Sequence, residues 1–328
     1  MPDTMRERMG KVVSDLIEKD QNTALILADI GAANFRNVLK NFPERAINLG
    51  IMEQTMVSLA AGFALEGFHP IVHSIAPFVV ERPFEQIKDD FCYQGLGGTF
   101  ISIGASYDYG TDGMTHQAPG DVSILKTLPR MQVCVPGTPD EFEALLRQTY
   151  NNGAPTYIRT STQQNNASRP AIFGKLHLER EGRDGVVVAV GPMLERTLEA
   201  VEDIDITVLY ATTVVPFDEE TLQNAVAKAS TNVILVEPYY EGGLVQNIAQ
   251  ALQAIPTRIE AIGVPRRVLE RYGPPEHHDR ELGLTTEGIR TRITNFLNTG
   301  NSATDQDYRI LSPVSKRETG GNNKAENA

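Results

Sequence analysis

Two consecutive α/β domains, each a parallel sheet covered by helices, are what this chain of 328 residues predicts. Three observations carry that reading. Segments rich in Val, Ile, Leu and Thr alternate with helical patterns almost from end to end. A polar, irregular stretch, TQQNNASRPAIFGKLHLEREGRDG, from about Thr162 to Gly185, divides the alternation in two. The length suffices for two ordinary hydrophobic cores. The expected division is a first domain over 1–162, a linker over 163–185, a smaller domain over 186–299 and a polar, disordered tail over 300–328.

The elements follow in order. An amphipathic helix to about Asp20 precedes a buried strand at ALILAD (24–29). An alanine-rich helix then leads to a strand at HPIVHSI (69–75). The next helix has Pro83 near its start, where proline is tolerated, and FEQIKDDFCYQ as its body. GTFISIG (98–104) and MQVCVP (131–136) read as strands, and PTYIRTS closes the first sheet. Between them TPDEFEALLRQTYNN carries a capping-box signature, with Thr138 as N-cap and Glu141 three residues later. The second domain expects strands at 186–191, 206–212, 232–238 and TRIEAIGVP, with helices at 193–203, 218–230 and 243–254. A last helix is capped at Thr285 or Thr286.

Composition narrows the function classes. With 41% hydrophobic and 22% charged residues the chain is of globular type, and its net charge of −12 argues against nucleic acid or an anionic membrane as main partner. No apolar run approaches the roughly 20 residues that cross a bilayer, and the N-terminus lacks a signal-type apolar region. A cytoplasmic protein is expected. Cys92 and Cys134 form no CxxC pair, sit in apolar segments and read as buried free thiols with no metal site.

The chemistry centres on FPERAINLGIMEQTMVSLAAGFALEG (42–67). A Gly50 turn launches a helix whose Ser58, Ala60, Ala61, Gly62 and Ala64 let another backbone approach closely, and whose first turn carries Glu53. An acidic residue there complements the helix dipole in any protein. Here an almost uncharged run follows as far as Glu66, so the carboxyl points toward an apolar interface, where burial favours its sharing a proton. INLGIMEQ followed by an alanine-rich helix resembles the pyrimidine-binding domain of the transketolase family of thiamine diphosphate enzymes. The resemblance covers about residues 5–298 and implies this domain followed by the family's smaller C-terminal α/β domain.

The resemblance assigns Glu53 to the aminopyrimidine ring of the cofactor. SIAPFVVERPFEQI matches the segment that supplies aromatic residues against that ring, placing Phe78 at the stacking position and Ile75 beside it. Arg82 resembles an arginine bordering the pocket in the deoxyxylulose-phosphate synthase branch; otherwise it would pair at the surface with Glu81 or Glu85. YGTDGMTHQAPGD resembles the family's G-x-D-G-x-T-H-Q loop, making Asp112 and His116 the substrate-facing pair. A histidine relays protons near neutral pH, and a carboxylate beside it selects a hydroxyl configuration. His73 is expected at the pocket edge. YYEGGLVQNIAQAL resembles a Gly-rich turn of the C-terminal domain, read as structural, although such turns can bind anions.

Departures from the family matter too. Gly104, Ala105 and Ser106, and then Ser161-Thr162-Gln163, stand where members acting on sugar phosphates carry arginines, leaving Arg159 or Arg36 to substitute. The implied substrate is a modified or non-phosphorylated sugar. No GDG metal and diphosphate motif occurs. The resemblance therefore implies the C-terminal subunit of a split enzyme, which transfers a two-carbon ketol unit from a ketose-like donor to an aldehyde. An N-terminal subunit would hold Mg²⁺ or Ca²⁺ and the diphosphate of thiamine diphosphate, in an α2β2 heterotetramer. Alternatives are a deoxyxylulose-phosphate-synthase-like or 2-oxoacid-dehydrogenase-β-like carboligase, or a non-catalytic scaffold subunit.

Overall fold

The computed structural model describes residues 3–301. Its strands are β1 (Thr23–Leu27), β2 (Ala46–Asn48), β3 (His69–Ile75), β4 (Gly98–Ile103), β5 (Gln132–Cys134), β6 (Pro155–Arg159), β7 (Leu176–Arg180), β8 (Val186–Val190), β9 (Thr207–Ala211), β10 (Thr213–Val215), β11 (Asn232–Tyr240) and β12 (Arg258–Val264). They form a seven-stranded sheet of order β10-β5-β6-β4-β3-β1-β2 and a five-stranded sheet of order β12-β11-β8-β9-β7. Both are parallel except at one edge each, where β10 and β7 run antiparallel to their neighbours. This is the expected α/β architecture, and both sheets are covered by helices because strands such as TALIL and VVVAV are buried along their whole length.

Alternate side chains of each strand feed separate cores. Ile26 and Ala24 join a cluster that runs on into Val186, Val188 and Leu235 of the second half, while Leu25 and Leu27 face a second cluster under the N-terminal helix. That helix, Met5–Lys19, buries Met5, Met9, Val12, Val13 and Leu16 along one stripe. Thr4 caps it: its hydroxyl accepts from Glu7 N, and the Glu7 carboxylate accepts from Thr4 N.

Several expectations need correction. Residues 163–185 are not irregular throughout, because Leu176–Arg180 forms the edge strand β7, whose half-buried LHLER alternation was masked by its polar residues. After β9 the chain returns to the first sheet as β10, which no composition signal announced. FEQIKDDFCYQ splits into a short turn, Phe84–Gln86, and a wider π-helical segment, Ile87–Tyr93. The capping box at Thr138 is half made. Thr138 Oγ1 accepts from Glu141 N, but the Glu141 carboxylate accepts from Gly137 N (2.8 Å), Arg169 N (2.9 Å) and the Tyr210 hydroxyl (2.6 Å). Glu141 thus ties the first half to the second instead of closing its own helix. The last helix, Thr286–Asn301, is capped by Thr285, whose hydroxyl accepts from Gly288 N. The tail expected beyond it lies outside the described residues. Both cysteines are free and buried. Among the described residues no helix is long and apolar enough to cross a membrane.

Candidate functional site

In a parallel sheet, ligand sites form where the strand order reverses, beyond the carboxyl ends of the strands. Here the chain passes from β1 outward to β2, then back across to β3 on the other side, so the reversal lies at β1 and β3. Just beyond it is a cavity of about 410 Å³ lined by Arg6, Asp29–Ala33, Ile75, Ile103, Tyr109, Asp112 and His116. Its apolar wall is a small cluster apart from the main cores: Ile75, Phe78 and Ile103, with Ile30 and Tyr109 against them.

The sequence builds this mouth from three loops. After β1, Asp29 and Gly31 take left-handed conformations (φ 71° and 80°) and turn the chain over the strand end. The Asn48 side-chain oxygen accepts from Asp29 N at 2.9 Å and from Gly50 N at 3.2 Å. That one amide joins the cavity loop to the turn that launches the helix Glu53–Leu65. Glu53 is buried (3% exposed) at the first position of a helix that lacks a side-chain cap. The small-residue face of this helix divides: Ala60 and Ala61 are buried in the core, while Ser58 and Gly62 remain exposed.

From Glu53 a row of contacts leads to the cavity. Arg82 Nη1 donates to Glu53 Oε1 at 2.8 Å, and the same guanidinium lies 3.7 Å from the centroid of the Phe78 ring. Phe78 meets the His116 ring edge-on at 5.2 Å. His116 Nδ1 shares a hydrogen bond of 2.9 Å with the Thr115 hydroxyl, and Asp112 stands exposed on the same loop. Glu53, Arg82, Phe78, His116, Asp112 and Ile75 are thus brought together. Arg82 pairs with Glu53, not with Glu81 or Glu85 as the surface alternative held.

Three sequence-predicted residues, His73, Arg159 and Arg36, stand apart from the cavity and from the row that leads to it. His73 is fully buried; its Nδ1 faces Ile101 O at 3.0 Å and its Nε2 has no partner among the described residues. Gly31 covers the ring so closely that a Cβ there would lie 2.5 Å from it. Burial lowers the imidazole to about 4, so the ring is neutral. Arg159 is 1% exposed and pairs with Asp121 at 2.8 Å, with a further bond to Pro238 O. Asp121 also accepts from the Tyr157 hydroxyl at 2.7 Å. Arg159 therefore joins the first sheet to β11 and cannot substitute for a substrate-binding arginine. Arg36 is exposed on its helix and does not line the cavity.

Sequence reasoning missed Arg6, Asp29 and Tyr109. The Thr4–Glu7 capping box and the Asp-Ile-Gly turn after β1 were the available signals. Behind the histidine loop Asp108 is buried and raised to about 6 by desolvation, although Ser161 Oγ (3.0 Å) and Thr162 N (2.8 Å) donate to it. The Gly-rich turn of the second half is closed internally: the Glu237 carboxylate accepts from Gly242, Gly243 and Leu244 N, which supports its structural reading. Among the described residues no cluster of His, Cys, Asp and Glu could hold a metal ion.

An aminopyrimidine needs a buried carboxyl that can share a proton with a ring nitrogen and a flat apolar face beneath it. Glu53 and Phe78 offer both, and the Arg82 guanidinium, itself a flat donor, now makes both contacts. The residues fit such a ring.

Comparison with known proteins covers both halves of the chain. Residues 2–167 match the transketolase pyrimidine-binding domain and residues 174–289 the transketolase C-terminal domain. The chain is 39% identical over 293 residues to an uncharacterized 33.6 kDa protein in the fasciation locus of Rhodococcoides fascians, covering 88% of this chain and 93% of that one. It is 29% identical to the 6-deoxy-6-sulfo-D-fructose transketolase subunit SqwH of Clostridium sp. (strain MSTE9), covering 87% and 92%. The 1-deoxy-D-xylulose-5-phosphate synthase of Shewanella baltica is also 29% identical, but the chain spans only 48% of its length. Among solved structures, a split gene transketolase, described as an inactive beta4 tetramer, superposes with a TM-score of 0.79 at 26% identity, covering 91% of this chain and 99% of that one.

Proposed function

Because the chain belongs to the transketolase family, we propose that it is the C-terminal subunit of a split, thiamine diphosphate-dependent transketolase and that it transfers a two-carbon ketol unit from a ketose to an aldehyde. The observation that carries this is the unbroken row from Glu53 through Arg82 and Phe78 to His116 at the cavity. Similarity along nearly the whole of a transketolase subunit and of a split gene transketolase supports the two-chain reading. We take residues 1–162 as the pyrimidine-binding domain and 186–299 as the C-terminal domain.

The cofactor, when bound, supplies the carbanion that accepts and releases the two-carbon unit. Glu53 would hold its aminopyrimidine through a proton shared between the carboxyl and a ring nitrogen, in a buried setting where a charge-assisted bond is worth about 1.5–3 kcal/mol. Phe78 and Ile75 would give the ring its apolar floor, with Arg82 at the rim. His116 holds or delivers a proton at the substrate's oxygen through its ring, and Asp112 accepts from a substrate hydroxyl. Arg6 is the cation facing the cavity, while Gly104 and Thr162 offer none. A sugar with a modified or non-phosphate terminus suits that arrangement. The partner contributes Mg²⁺ or Ca²⁺ and the diphosphate site, and covers the exposed Ile51 and Met52 beside Glu53, in an α2β2 assembly.

Isothermal titration of thiamine diphosphate with Mg²⁺ tests this, first into the chain alone and then into its mixture with a diphosphate-half subunit. Binding is expected only in the mixture and is abolished by Glu53→Ala. Tight binding to the chain alone would overturn the split site.

A further inference from the structure

The loop that carries Asp112 and His116 has little regular structure of its own, only a short turn at Met114–His116. It is held from behind by the second half of the chain. The Tyr107 hydroxyl donates to Asp279 Oδ1 at 2.6 Å. Asp279, 3% exposed on the helix Pro275–Leu282, also receives Arg196 Nη2 at 2.8 Å and Gln163 Nε2 at 3.1 Å. Gly273 N donates to Gly110 O at 3.2 Å. The second half presses closely on the loop's glycines: a Cβ on Gly110 would lie 2.5 Å from His278 Nε2 and 2.6 Å from Gly273 O, and one on Gly113 would lie 2.5 Å from the Tyr272 ring.

We propose that Asp279 is a positioning residue for His116 and Asp112, acting through Tyr107 at the base of their loop. None of the residues that line the cavity comes from the second half, yet this contact lets the second half set where the substrate-facing side chains stand. The inference rests on His116 and Asp112 being those side chains. Burial, followed by the adjacent carboxylate, pushes the Tyr107 phenol well above its ordinary range, so it stays protonated and donates. Asp279 is anchored independently of the loop by Arg196, so the tie has a fixed end. A polar pair that merely filled space would need no such anchor.

Tyr107→Phe cuts the tie and leaves the ring, Arg196 and Gln163 in place. Amide hydrogen exchange over 108–116 in the purified chain should quicken about tenfold, the loss of one buried hydrogen bond. Amides of the Glu53–Leu65 helix should be unchanged. Asp279→Ala should match it, and Asp279→Asn, which keeps an oxygen for Tyr107, should restore most of the protection. In the assembled enzyme Tyr107→Phe should raise KM for the ketose and lower kcat, with thiamine diphosphate affinity unaltered. Unchanged exchange in the loop would overturn the inference. So would loosening that spreads equally to the Glu53 helix, or wild-type kcat and KM despite a loosened loop. If even the wild-type assembly shows no turnover, the transketolase reading fails, and the exchange pattern alone still decides whether Asp279 holds the loop.

Discussion

Arg82 Nη1 lies 2.8 Å from Glu53 Oε1, a pairing across 29 residues that joins a half-exposed guanidinium to a carboxylate with almost no solvent contact. The helix that presents Glu53 supplies it with no cation, so Arg82 is the group that balances this buried charge. The geometry makes the two residues competitors and collaborators at one site, and their substitutions should behave differently.

Glu53→Gln should cut turnover of the assembled enzyme by about 10- to 100-fold, the equivalent of one charge-assisted hydrogen bond. Stability should fall by less than about 1 kcal/mol, since the abandoned Arg82 can reach water. Steady-state rates and urea midpoints measured on the same preparations check both halves. With a scaffold subunit the same change would leave turnover unaltered.

Arg82→Ala should go the other way on binding. Removing the guanidinium that overlies Phe78 frees the ring face, and thiamine diphosphate affinity in the mixture should rise by up to about fivefold, the value of a partly exposed ion pair. Titration calorimetry reads it directly. A fall of tenfold or more would mean that Arg82 holds the cofactor instead of giving way to it.

Arg159→Met should act on stability. It leaves Asp121 buried without its cation and should cost about 3–5 kcal/mol in denaturant unfolding. Unaltered stability with a raised KM would return Arg159 to the substrate.

His73 should make the chain acid-sensitive. Its folded value of about 4 lies below the ordinary 6.5, so the unfolded chain takes up a proton first as pH falls. The stability from the buried neutral ring is present in full above pH 6.5 and is lost as pH drops toward 4, to the extent of about 3 kcal/mol. His73→Asn should flatten that part of the pH profile. An unchanged profile in the variant would assign the acid sensitivity elsewhere.

Much of the fold was legible because buried strands such as VVVAV and NVILVEPYY announce themselves by composition. The site was legible where motif residues act through local geometry: Glu53 at a helix start, Phe78 and Arg82 one turn apart, His116 on its loop. What sequence could not show was the identity of distant partners. Arg159 and His73 have the right chemistry to meet a substrate, but their side chains are spent on Asp121 and Ile101, contacts set by tertiary packing. Arg6 is far from the motif in sequence and reaches the cavity from the first turn of the helix that covers one face of the first sheet. Glu141 was half read: its position three residues after Thr138 was right, and its carboxylate answers to the other half of the chain.

The strand β10 comes from the second half of the sequence and completes the edge of the first sheet beside β5. The two halves are therefore not separable cassettes. A gene cut between the two family domains would yield an N-terminal fragment with the β5 edge bare, open to pairing with any passing chain and prone to precipitate. Recombination that swapped C-terminal domains among relatives would have to carry a matching Thr213–Val215 segment, or lose the first sheet along with the second.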